Sequence, residues 1–185
     1  MTADREVAGL TPAERNYLHA QVRAVIEAGL GLGTEPDDVP TSPVLREKRG
    51  AFVTLKKNGE LRGCIGYVEA YKPLYLTIRE MARAAAFNDP RFPPLRPDEW
   101  PQIEVEISVL SPLEEISDPE KIEVGRHGIL LRNGPFSGLL LPQVAVEYGW
   151  GREEFLMHTC LKAGMAGDCW RRSGTRIQIF SAEIF

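Results

Sequence analysis

Two residues, Asn58-Gly59, constrain this chain more than any others. Both central positions of a two-residue type I′ hairpin turn need a positive φ, and Asn-Gly is the pair that adopts it most readily. The flanking runs have strand character. The pair therefore predicts a hairpin with Ala51 to Lys57 as one arm and Glu60 to Val68 as the other. With a two-residue turn, Lys57 lies opposite Glu60. Counting back places Leu55 opposite Arg62 and Val53 opposite Cys64. On that register Arg62 and Cys64 share a face with Val53 and Leu55, while Phe52 and Ile65 lie on the other. Both faces then carry apolar groups, so both are expected to be covered and Cys64 to be mostly buried.

The returning arm holds Leu61-Arg62-Gly63-Cys64-Ile65-Gly66, a cation and a thiol two residues apart between glycines. Gly63 and Gly66 leave little side-chain bulk, which marks a place where a ligand can approach the backbone. Around this hairpin the elements are readable. Thr11, Pro12 and Glu14 form an N-cap, a first helical proline and a capping box, and Leu18, Val22, Val25 and Ile26 share one helical face, with Gly29 as the stop. A Pro-, Gly- and Asp-rich linker runs from Gly31 to Pro43. A second helix runs from Pro73 to Phe87 and is ended by Asn88-Asp89-Pro90. A stiff proline loop leads to the strand in which Ile103, Val105, Ile107 and Val109 alternate with polar residues. Strands at Gly128 to Arg132 and Ser137 to Leu141, a helix from Arg152 to Ala163 and a strand from Arg176 to Phe185 complete the reading. Hairpins mixed with helices predict an α+β fold, a mainly antiparallel sheet with flanking helices.

A chain of 185 residues, 43% hydrophobic, can build a core as a single domain over 1–185. A net charge of −4 argues against a broad basic surface for nucleic acid. No apolar run reaches membrane-span length, and Met1 to Leu10 has no signal-peptide core, so a cytoplasmic location is expected. Three cysteines, an odd number in a reducing compartment, argue against disulfides.

Each reactive residue has a functional and a structural reading. Cys64 is either a nucleophile or a packed thiol, since free cysteine is among the most buried residue types. Arg62 either binds a ligand anion or pairs with a carboxylate such as Glu104 or Glu106. Glu106 is either a substrate-binding or acid–base group, or one of a solvent-facing row. His127 is either a general base or a turn-stabilising group. Arg91, in the proline loop, either reaches a ligand or ties the loop down. His158, Cys160, Asp168 and Cys169 match no common zinc spacing, so no metal site and no cofactor are read here.

Five segments in order carry a resemblance. They are Leu61-Arg62-Gly63-Cys64-Ile65-Gly66, Asp89-Pro90-Arg91-Phe92-Pro93-Pro94-Leu95, Val124-Gly125-Arg126-His127-Gly128, Leu139-Leu140-Leu141-Pro142-Gln143-Val144-Ala145 and Thr159-Cys160-Leu161-Lys162-Ala163-Gly164. From about Gly50 to Phe185 the chain resembles the AMMECR family, named after a syndrome of Alport nephritis, midface hypoplasia and elliptocytosis. The resemblance implies two unequal lobes with a cleft between them. Prokaryotic relatives are associated with a radical S-adenosylmethionine protein and a MEMO-like protein. Those two proteins and an unidentified small molecule are therefore the expected partners, in a system whose reaction the resemblance does not specify. A site of Cys64, Arg62 and His127, with Arg91, Glu106, Gly63 and Gly66 binding substrate, is the enzymatic expectation. A non-catalytic adaptor is the alternative.

Overall fold

The computed structural model describes residues 9–185. The reading of Met1 to Leu10 as lacking a signal-peptide core lies, for residues 1–8, outside the described residues. Two compact units emerge: residues up to Leu110 with Glu183–Phe185, and Ser111–Ala182.

In the first unit, α1 spans Pro12–Gly29 and carries the complete capping box. The Thr11 hydroxyl accepts the Glu14 N–H, and the Glu14 carboxylate accepts the Thr11 N–H. A short α2, Pro43–Arg46, follows the linker. The strands β1 (Ala51–Lys57) and β2 (Glu60–Tyr67) meet at Asn58-Gly59, whose φ values of 54° and 80° are those the turn demands. The helix α3, Leu74–Phe87, is followed by the proline loop and β3, Ile103–Leu110, which pairs antiparallel with β1. Phe185 exchanges both backbone hydrogen bonds with Ile107. Ala51, Val53 and Leu55 of β1 and Ile107 and Val109 of β3 enter one core with Leu74, Ile78, Met81, Ala82 and Ala85 of α3. Each large member of this core contributes about 1.5–3 kcal/mol of burial.

In the second unit, β4 (Glu114–Ile116) pairs with β7 (Arg176–Ile184), and β7 pairs with β5 (His127–Asn133), which forms a hairpin with β6 (Phe136–Leu140). All of these pairings are antiparallel. The helices α4 (Pro142–Tyr148) and α5 (Arg152–Lys162) follow, and Phe155, Leu156 and Cys160 of α5 enter a core with Ile129, Leu131, Ile177 and Ile179. Neither β4 nor α4 was expected from the sequence. The first is three residues long and the second only seven, too short to show a period.

The cysteine reading needs correction. Cys160 and Cys169 form a disulfide, and Cys64 is free. An odd total does not prevent one pair. The α5 end and the turn at Cys169 bring the two Cα atoms to 5.8 Å, inside the range a disulfide spans. Among the described residues no helix is long and apolar enough to cross a membrane.

Candidate functional site

The hairpin register shifts once. Lys57 opposes Glu60 and Lys56 opposes Leu61, but Leu55 then opposes Gly63 and Thr54 opposes Cys64. Arg62 is the extra residue of a β-bulge. This overturns the face assignment counted from the turn, because a one-residue slip exchanges the two faces of everything beyond it. Cys64 does not share a face with Val53 and Leu55. It lies beside Thr54, and Thr54 lies opposite Glu106 on β3. The row Cys64–Thr54–Glu106 thus crosses three neighbouring strands on the face away from α3, spanning roughly 10 Å at the spacing of paired strands. Phe52 and Ser108 flank it on one side, Lys56 and Glu104 on the other.

Cys64 is half-buried on this face rather than enclosed, and its sulfur accepts the Thr54 hydroxyl at 3.2 Å. The Lys56 ammonium meets the Glu106 carboxylate at 2.7 Å. The row therefore has a thiol at one end and an ion pair near the other.

β2 is an edge strand, and the Cys64 peptide turns its polar groups outward. Two side chains of the proline loop satisfy them. The Cys64 N–H donates to Asp89 Oδ2 at 2.9 Å, and the Cys64 carbonyl accepts from Arg91 Nη2 at 3.0 Å. Asp89 and Arg91 also form a forked pair with each other, through Nε at 3.0 Å and Nη2 at 2.7 Å. The Arg91 guanidinium, helped by the Cys64 N–H and opposed by burial, holds the Asp89 carboxyl well below the usual carboxylate range. Arg91 thus does tie the loop to the backbone, while its side chain stays half-exposed.

Arg62 is buried, with its Nε and Nη2 held. It donates to both oxygens of Glu99, at 3.2 and 3.0 Å, and to the carbonyl of Pro93 at 3.0 Å. Its partner is Glu99, not Glu104 or Glu106. Lys57 adds a contact to Glu99 at 3.2 Å. Arg62 foremost, against a desolvation that acts the other way, lowers the Glu99 pKa to about 2. The Phe92 ring lies 6.0 Å from the Arg62 guanidinium and 5.5 Å from that of Arg91.

The space left by the glycines is filled from within. A Cβ on Gly63 would come 2.2 Å from the Ala85 carbonyl of α3, and one on Gly66 would enter the Phe52 ring. His127 belongs to the second unit, where its Nδ1 accepts the Glu123 N–H at 3.1 Å. Arg62, Cys64, Arg91 and Glu106 belong to the first. Among the described residues no cluster of three or more His, Cys, Asp or Glu is arranged for a metal ion.

Thr54, Asp89 and Glu99 were not chosen from sequence. Asp89 carries a signal in the sequence, since it opens a motif of the resemblance, but beside Asn88 and Pro90 it reads as a helix stop. Thr54 and Glu99 gain their roles only from the bulge and the folded loop.

A family model described as AMMECR1 matches residues 19–185. A Methanopyrus kandleri protein is 49% identical over 185 residues, covering 95% of this chain and 89% of its own length. One from Thermococcus kodakarensis is 48% identical over 160 residues, covering 81% of this chain and 77% of its own length. The crystal structure of an uncharacterized protein from Pyrococcus horikoshii is 44% identical, with a TM-score of 0.79, and the match covers 91% of this chain and 88% of that one.

Proposed function

The chain belongs to the AMMECR1 family, and we propose that it binds, or acts on, a small polar molecule held on the Cys64 face of the β1–β2–β3 sheet. The observation that carries this reading is the in-register row of Cys64, Thr54 and Glu106, with the Cys64 peptide fixed at both its N–H and its carbonyl. A thiol presented by a backbone that cannot shift is preorganised to meet a ligand. In this reading Cys64 contacts the ligand, Lys56 and Glu106 bind its far end, and Arg91 offers a half-exposed cation beside the thiol. Arg62 is a positioning residue, because its Nε and Nη2 are held by Glu99 and Pro93. His127 enters the proposal only through its place in a family motif. Family membership also supports the expectation that the protein works beside a radical S-adenosylmethionine protein and a MEMO-like protein.

A second reading, a non-catalytic adaptor, draws on one observation. Val146 and Tyr148 of α4 are well exposed, and the Tyr148 ring stacks on Trp150 at 4.8 Å. Exposed apolar surface of that kind serves protein contacts.

Untargeted metabolite profiling of a deletion strain separates the two. The small-molecule reading expects a polar metabolite to accumulate, and to stay high when the strain carries Cys64→Ser but not the unaltered protein. Full rescue by a Cys64→Ser protein of normal thermal stability sinks that reading and favours the adaptor.

A further inference from the structure

The outer stripe of α3 is not a plain solvated face. Leu76, Arg79, Glu80 and Arg83 recur at helical spacing, with Lys72 one turn earlier, and together with Val25 of α1 they line a hollow of about 430 Å³. It is a shallow hollow, open to solvent. It lies on the helical side of the first unit, away from the Cys64 face.

The chemistry of the hollow is uneven. Three cations line it, and their counter-charges come partly from the linker between α1 and α2. Arg83 pairs with Glu35, and Arg79 with Asp38 at 2.8 Å. Arg79 is held rigid: Nε donates to Gln21 Oε1 at 2.6 Å, Nη2 donates to the Asp38 carbonyl at 2.7 Å, and the Tyr75 ring lies 5.2 Å from its guanidinium. Arg83 and Glu35 are both about half-exposed, so they part at little cost. Arg79 and Arg83 sit one turn apart, about 6 Å along the axis. Leu76, partly exposed, supplies an apolar wall, and Val25 lies buried beneath the hollow.

We propose that this hollow is a binding site for a small organic anion, a phosphate or carboxylate joined to a compact apolar body, whose charge displaces Glu35 from Arg83 while the body packs on Leu76. Glu35 is thus a resident stand-in for the ligand's charge, carried on the linker. The site is independent of Cys64.

Titration calorimetry of the full chain tests this with phenyl phosphate as probe and inorganic phosphate and phenol as controls. Phenyl phosphate should bind saturably and more tightly than either control. Arg83→Gln should weaken it about two- to tenfold, the range of one charge-assisted contact. Glu35→Gln should tighten it about two- to fivefold, because a competing surface ion pair of ordinary strength is gone. That gain is the decisive readout, since a purely structural Arg83–Glu35 bridge does not produce it. Both side chains are half-exposed, and thermal melts verify that each variant folds. Absence of saturable binding overturns the proposal. So does equal affinity for phenyl phosphate and inorganic phosphate, or a Glu35→Gln or Arg83→Gln protein that binds as the original does.

Discussion

The Asp89 carboxylate accepts the backbone N–H of Cys64 at 2.9 Å, and so a loop side chain stands where a neighbouring strand would pair. With Arg91 on the Cys64 carbonyl, the outward polar groups of that edge residue are closed off from strand partners. The same contacts fix the thiol, so edge protection and site geometry are one arrangement.

Asp89→Ala should therefore be costly. It leaves the Cys64 N–H without its acceptor and Arg91 without its fork, in a place where the carboxylate is almost wholly buried. A loss of about 3 kcal/mol is expected in urea unfolding at neutral pH. Asp89→Asn keeps an acceptor oxygen and should cost less. Because Arg91 is half-exposed, Arg91→Ala should fall below Asp89→Ala.

Gly63→Ala tests whether the glycine serves a ligand or the core. The added methyl meets the Ala85 carbonyl at 2.2 Å, a backbone atom of α3 that moves only with the helix. Destabilisation of about 1–3 kcal/mol or more is expected, as for overpacked cores. A protein as stable as the original would show that α3 yields at no cost.

Much of the fold was written locally. The capping box of α1, the Asn58-Gly59 turn and the alternation of β3 each encode an element within a few residues, and the elements formed there. The bulge at Arg62 was not legible, since nothing near the turn marks an extra residue. It is set by Gly63 packing under α3 and by Arg62 reaching Glu99, 37 positions away. That single slip moved Cys64 from the apolar set to the row with Thr54 and Glu106. The Cys160–Cys169 pair was hidden for the same reason, because only the folded α5 and its following turn bring the sulfurs together.

Acid should loosen the first unit through Glu99. Its folded pKa, about 2, lies below the ordinary glutamate value, and Arg62 is the main cause. A depressed carboxylate stabilises the fold above its unfolded pKa, and the contribution is lost as pH falls from about 4.5 toward 2. Asp89, also lowered, acts in the same direction. Thermal melts should fall steeply across that window. Arg62→Ala should lower the melting temperature at pH 7 and flatten the acid slope, because Glu99 is left buried without its main partner. An unchanged slope in Arg62→Ala would show that the Arg62–Glu99 pair does not set it. Of the two readings of Arg62, this tests the pairing with a carboxylate, with Glu99 in the place of Glu104 or Glu106.

The cysteines give the last test. The chain has three: one is half-buried and free, and two are joined and almost wholly buried. Alkylation of the native protein, followed by mass spectrometry, should add one label, at Cys64. Denaturation without reductant should still add one, and denaturation with reductant should add three. The double variant Cys160→Ser, Cys169→Ser opens a loop closed over a separation of nine residues. It should cost about 2–3 kcal/mol in urea, the loop-entropy value for a ring of that length. Two serines in place of the buried sulfurs, beside Phe155 and Leu156, should add to that cost. Cys64→Ser, by contrast, should leave stability within about 1 kcal/mol, because a hydroxyl at this half-buried position keeps Thr54 as its hydrogen-bond partner. Three labels on the denatured, unreduced protein would show that the pair is not oxidised. A large stability loss in Cys64→Ser would show that its sulfur is there for packing, and the site reading would lose its centre.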